Sequence, residues 1–352
     1  MKRILLKALI PLIVVTVTEI RAENINELFN EVEIKKTSYP ALAQEKLKQI
    51  RQQKDELLKQ EEELLVFYEA HFLILKSDYK KAKDLLLNLA NNTDHQPLLA
   101  RTYSLISTIL LFTGEYTEAF KYSKKALILL DEIKDNDLHK FAVVQNIASI
   151  FKQSELFNQA MEYSRQLVRL ADIEESPLKL CISNYELASW EMQVLQTQMA
   201  KERIEKSITN CRQAQERLFL ALATELKAKY FLVNNQPEEA VKILQAQQSE
   251  VEDINYQALR NVYDIRLAET YLTLEKYDLS LKHAKTAYNR AKRQDDILRL
   301  MEASKILADI YSKQKQLKKS VDFYKEYMQL EQQKDTQLNQ RKMAYFLVSL
   351  AN

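Results

Sequence analysis

Residues 267–287 read LAETYLTLEKYDLSLKHAKTA. Small side chains stand at Ala268, Ser280, Ala284 and Ala287, and rings at Tyr271 and Tyr277. Residues three and four apart share one face of a helix. Small residues on that face let a second helix approach, and bulky neighbours fill the grooves beside them. The stretch therefore reads as two antiparallel helices with a turn just ahead of Tyr277.

The pattern recurs. Turn positions fall at Tyr79, Tyr116, Phe157, Pro237, Tyr277 and Leu317, and a small residue follows each: Ala82, Ala119, Ala160, Ala240, Ser280 and Ser320. Upstream of each stands another: Ala70, Ser107, Ala148, Ala228, Ala268 and Ala308. Phe151, Phe231, Tyr271 and Tyr311 repeat the ring beyond it. The interval from Phe157 to Pro237 is twice the others. It predicts a hidden pair over 178–214 that turns near Gln196 to Gln198. A fixed period of this length is the mark of a repeat array.

Composition agrees. The 352 residues include one glycine, Gly114, and five prolines. Folds with many turns at positive φ draw on glycine, so sandwiches, barrels and doubly wound sheets are excluded. Glycine-rich phosphate loops and the G-x-S-x-G elbow need at least two glycines and cannot be present. An all-α solenoid of about eight antiparallel helix pairs remains. Loops are expected near Asn91–Gln96, Lys134–Asp137, Glu174–Pro177 and Gln294–Asp296.

The ends read differently. Lys2 and Arg3 precede an apolar run from Ala8 to Val17, and Ala22 closes a cleavage-like Ile20-Arg21-Ala22. Residues 1–22 thus read as a secretory signal peptide, with an uncleaved anchor as the alternative. Residues 23–59 are expected to form an N-terminal capping helix pair. One helix lies near 24–36 and one starts at Pro40, with Ser38 as its N-cap. The solenoid spans 60–330. Residues 331–352 form a C-terminal helix whose apolar end, Met343 to Leu350, needs burial.

Charge is balanced, at 51 basic against 49 acidic residues. Nucleic-acid binders carry a basic excess or stripe, so no nucleic-acid partner is expected. The locally basic stretch from Lys282 to Lys319 and the acidic Glu61-Glu62-Glu63 read as solvated helix faces. His71, His95, His139 and His283 are too scattered for a zinc motif. No catalytic residue, metal or cofactor is expected.

Cys181 and Cys211 lie fifteen residues either side of the expected turn near Gln196. In an antiparallel pair such positions lie side by side, within reach of a disulfide. An oxidising compartment favours the bond. Two buried thiols are the alternative. Trp190 lies in the same pair, either in the core or as a groove-facing platform.

The repeat resembles the tetratricopeptide repeat over about residues 60 to 327. Gly114, Tyr116, Ala119 and Ala126 carry the match best, then Leu267-Ala268 with Tyr271 and Leu307-Ala308 with Tyr311. The usual early tryptophan is missing, the closing proline is mostly absent, and the period is nearer 40 than 34. The resemblance implies a right-handed solenoid whose first helices line a groove for a peptide or protein partner. Carried over by position, the groove candidates are Gln145, Ser149, Lys152, Trp190, Lys229, Glu269, Lys305 and Asp309.

A narrower resemblance spans the chain. The signal, Ser38-Tyr39-Pro40, the repeats, Cys181 with Cys211, Tyr324-Lys325-Glu326-Tyr327, Gln333-Lys334-Asp335 and the Arg341–Leu350 segment look like the periplasmic sensor region of membrane-bound GGDEF diguanylate cyclases. A Gly-Gly motif cannot exist here, so cyclase activity is not implied. The implied role is a non-catalytic periplasmic sensor linked to envelope or cyclic-di-GMP signalling. A homodimer or a membrane-protein contact would run through the C-terminal helix. A free periplasmic scaffold and a cytoplasmic peptide-sensing regulator are the alternatives.

Overall fold

A computed structural model describes residues 25–134, 138–194, 197–254 and 256–351. The expected signal peptide, the loop at 135–137 and the turn at Gln196 lie outside the described residues. The described residues hold sixteen α-helices and no strand. They are α1 (25–35), α2 (Pro40–Arg51), α3 (Lys59–Leu75), α4 (Tyr79–Asn92), α5 (Gln96–Phe112), α6 (Tyr116–Leu130), α7 (Leu138–Gln153), α8 (Phe157–Glu174), α9 (Pro177–Gln193), α10 (Thr197–Gln213), α11 (Arg217–Val233), α12 (Pro237–Ile254), α13 (Gln257–Thr273), α14 (Tyr277–Arg293), α15 (Ile297–Lys313) and α16 (Leu317–Leu350). By contacts the chain divides into two compact units, 1–102 and 103–352.

In the second unit the period is built from equal parts. Helices α9 to α15 are 17 residues long except α12, with 18. The first helices of successive pairs start at Pro177, Arg217, Gln257 and Ile297. The degenerate middle pair α9/α10 keeps this register. The long period therefore resides in the helices, and the turns stay short.

Those turns share one backbone device. Ser77, Glu155, Asn235, Glu275 and Lys315 adopt left-handed φ between 49° and 61°, and Gly114 takes φ 84° at the equivalent place. The following amide then bonds back to the helix just ended: Lys276 N donates to Tyr271 O at 2.8 Å and Gln316 N to Tyr311 O at 2.9 Å. This is the Schellman closure, which satisfies orphan carbonyls at a helix end. Glycine is its usual occupant. Here five polar side chains take its place in these turns.

The small residues sit where the pairs close. Ala82, Ala119, Ala160, Ala228, Ala240, Ala268 and Ala308 are fully buried. Ser280 Oγ donates to Ala268 O at 2.7 Å, and Ser320 Oγ to Ala308 O at 2.9 Å. A larger side chain at either position would hold the backbones apart and break that bond.

In the first unit, Arg101 is 2% exposed and donates to both oxygens of Glu33, at 2.9 and 2.7 Å. Tyr68 Oη also donates to Glu33, at 2.7 Å. The guanidinium lies 4.7 Å from the Phe67 ring centroid. Burial pushes the Glu33 carboxyl up, but Arg101 and Lys36 outweigh it and hold it well below the usual range. Burial, with Lys36 and Arg101 nearby, lowers His71 to about 3. Two expectations need correction. Tyr39, not Ser38, is the α2 N-cap, because Pro40 opens the helix at once and leaves Ser38 buried one residue outside it. Glu63 is not on a solvated face: it is buried and accepts from Thr93 Oγ1 at 2.7 Å.

A non-glycine residue in the left-handed region costs about 1–2 kcal/mol, and glycine forfeits about 0.5–1 kcal/mol of chain entropy. Glu275→Gly should raise the urea midpoint slightly and Glu275→Val should lower it. Separately, a depressed histidine contributes stability that is complete above its unfolded pKa near 6.5 and is lost as pH falls toward 3. Glu33 adds a loss lower still, as pH falls below 4.5 through its depressed value. Amides of α1 to α4 should therefore lose exchange protection steadily from pH 6.5 to 4, at up to about 1.4 kcal/mol per pH unit. His71→Phe should flatten that slope.

Candidate functional site

Among the described residues of the second unit, α9 touches α11, α11 touches α13 and α13 touches α15, whereas no comparable contact joins successive second helices. First helices that touch across the pairs lie on the inner radius and form the face that a groove ligand would meet. The 40-residue register places Ser189, Lys229, Glu269 and Asp309 at one helical position on this layer.

Ion pairs run along the layer. Lys152 Nζ lies 3.2 Å from Glu186, donates to Ser189 Oγ at 2.8 Å, and sits 5.6 Å from the Tyr185 ring centroid. Arg266 Nε donates to Glu225 Oε1 at 2.6 Å, and Arg266 also pairs with Glu269. Arg299 pairs with Glu302 at 2.7 Å. Glu225 is buried, and the Arg266 side chain is 15% exposed. Burial alone would lower Arg266, but Glu225 and Glu269 outweigh it and raise it. Burial raises the Glu269 carboxyl, against the pull of Arg266 and with the push of Glu302 and Glu225. Burial likewise raises the Tyr185 hydroxyl.

The sequence-predicted groove residues divide. Lys152, Lys229 and Glu269 belong to this layer, and Lys229 is close enough to Glu269 to act on its charge. Gln145 and Ser149 are half-buried on α7, where Ser149 Oγ accepts from Gln153 at 3.2 Å. Lys305 is exposed, 5.9 Å from the Tyr327 ring centroid, and Asp309 accepts from Tyr324 Oη. Trp190 is not a groove platform. It is 1% exposed, with its ring edge-on to Phe157 at 5.5 Å. One residue past Ser189 is a turn of about 100° round the helix, and that points Trp190 at α8.

Sequence reading missed Glu186, Glu225, Arg266, Arg299 and Glu302. The register could have found some of them, because Arg266 repeats Glu186 after two periods. Behind the layer, Cys181 and Cys211 are fully buried and bonded, with Cα atoms 4.8 Å apart. Ser207 Oγ donates to Cys181 O at 2.8 Å and brings the same two helices together. Among the described residues no group of three His, Cys, Asp or Glu could hold a metal ion, and no helix is long and apolar enough to cross a membrane.

No protein-family model matches the chain, and no curated protein matches its sequence. Solved structures do resemble it. A Rap protein complexed with competence and sporulation factor aligns with TM-score 0.63 and 15% identity, over 90% of this chain and 99% of its own. NprR in complex with its cognate peptide NprX aligns with TM-score 0.57 and 13% identity, over 80% of this chain and 82% of its own. A signal-transduction ATPase with a tetratricopeptide repeat sensor, from Pyrococcus horikoshii, gives TM-score 0.56 and 15% identity, over 89% of this chain and 50% of its own. At these identities the likeness establishes the fold, a TPR-like α-solenoid.

Removing one partner of a buried ion pair strands the other and costs about 3 kcal/mol or more. Glu225→Ala should lower thermal stability by that order, whereas Glu225→Met with Arg266→Met should recover part of it. Equal loss in both variants would show that the pair does not bind α11 to α13.

Proposed function

We propose that this chain is a non-catalytic binding module that holds a peptide or protein segment along the layer of first helices. The observation that carries this reading is the row of polar and charged side chains that pair along consecutive first helices, from Lys152 to Glu302. Its cations are largely matched by carboxylates. It therefore suits a segment with mixed side chains and backbone amides, and offers no dense clamp for a single terminal carboxylate. Two solved relatives in fold were captured with a bound factor or peptide, which supports the reading.

The finer proposal is a periplasmic sensor tied to envelope or cyclic-di-GMP signalling. Its supports are the signal-like residues 1–22, the Cys181–Cys211 bond, which an oxidising compartment favours, and the resemblance to GGDEF-linked sensor regions. A homodimer or membrane-protein contact through the C-terminal helix belongs to the same proposal.

Selection of a displayed random-peptide library on the purified chain tests the binding role. Calorimetry on selected peptides should show affinity that falls at least tenfold in Lys229→Glu and Glu302→Lys. Failure to select a peptide, or affinity untouched by both changes, would overturn it. Intact mass from the native host tests export: loss of residues 1–22 is expected, and a full-length chain with free thiols would contradict it.

A further inference from the structure

Helix α16 is 34 residues long, twice the length of most others in its unit. At about 1.5 Å per residue it extends some 50 Å. Its first half is the second helix of the last pair and packs on α15. It continues unbroken through the place where the sequence suggested a separate C-terminal helix. Its second half passes the intervening pairs and lands on α6, α7 and α8.

The seat is specific. The Tyr345 ring lies against Phe120 and Phe151, with centroids 5.4 and 5.6 Å away, and its hydroxyl accepts from Gln159 at 3.1 Å. Arg341 donates to the Gln153 carbonyl at 2.7 Å, at the C-terminal end of α7, and stacks 5.3 Å from the Tyr116 centroid. A cation at a helix C-terminus is favoured by the helix dipole. Lys334 and Lys342 approach Glu155 at 4.0 and 3.8 Å. Ala344 and Val348 are buried, and Lys124 donates to the Ala351 carbonyl at 2.6 Å.

This seam breaks the rule of the architecture. In a solenoid each repeat touches only its neighbours, so curvature can vary along the array. Among the described residues, α16 with α6 is the one element pair in substantial contact that joins distant repeats. The fit is also incomplete. A cleft of about 570 Å³, lined in part by Gly114, Thr117, Asn339, Met343 and Leu347, lies along the seam.

We propose that residues 334–350 are an intramolecular strap that fastens the last helix pair to α6–α8 and fixes the curvature of the second unit. The strap stands on its own contacts. Its regulatory meaning, control of how widely the inner layer opens, rests on the binding role proposed above. Opening the strap breaks no covalent bond. It exposes Tyr116, Phe120 and Phe151, which limits how long the open form persists.

Glu155 supplies the test, because Lys315 holds the equivalent left-handed turn position in the last pair. Lysine is therefore compatible with that backbone. Glu155→Lys in the full chain sets a third cation against Lys334 and Lys342. Arg341→Ala with Tyr345→Ala removes the two main anchors. Both variants should speed amide exchange across 334–350 at least tenfold and raise the radius of gyration in X-ray scattering, while α9 to α13 stay protected. Adding Lys334→Glu and Lys342→Glu to Glu155→Lys should restore both readings. Unchanged exchange and radius in both variants would overturn the strap, as would a restoring variant that stays open. None of these readouts uses a peptide, so failure here is distinct from failure of the binding role.

Discussion

The left-handed turn residue is the constraint on which the array depends. In the described turns within pairs one residue reverses the chain, and the amide after it bonds back into the helix just finished. That closure sets where each second helix starts. It thereby decides which small residues meet, so that Ser280 faces Ala268 and Ser320 faces Ala308. Close approach of each pair leaves the longer side chains to fill the spaces between pairs. The 40-residue period is thus two helices of about 17 residues and two short reversals, repeated without drift from Pro177 to Leu317.

The same register makes the inner layer. Because the period does not drift, a given helical position falls on the same face of the next first helix. Glu225, Arg266 and Glu269 then form contacts that no single helix specifies, and the Glu225–Arg266 pair bridges α11 and α13 within that layer. The Glu33–Arg101–Tyr68 cluster plays a different part: it lies in the first unit and orders α1 against α3 and α5.

Much of this was legible in the sequence, for physical reasons. Helix pairs announce themselves through small residues at fixed offsets, and those offsets survive the loss of the usual tryptophan and proline. The glycine shortage pointed to helices, yet it concealed how the turns are made: Glu, Asn, Lys and Ser adopt the left-handed conformation that glycine usually supplies. The make-up of the first-helix layer was legible only in part. Position within a helix put Lys229 and Glu269 on the layer of first helices, but Trp190 was one residue off that face, and one residue is enough to turn a side chain into the core. Glu225 was invisible because its partner lies 41 residues away. The return of α16 onto α6 was out of reach for the same reason, since helical periodicity describes a helix's faces and not its distant neighbours.

The central claim is that the layer of first helices is the binding face. Site-specific photo-crosslinking tests it most directly. A photoreactive phenylalanine is placed at Ser189 or Lys229 on the layer, or at the exposed Lys206 of α10 or Lys285 of α14, and expressed in the native host. Adducts are then identified by mass spectrometry. The account predicts one recurring peptide or protein adduct from the layer positions and none from the outer helices. The same adduct from Lys206 or Lys285, with none from Ser189 or Lys229, would contradict it.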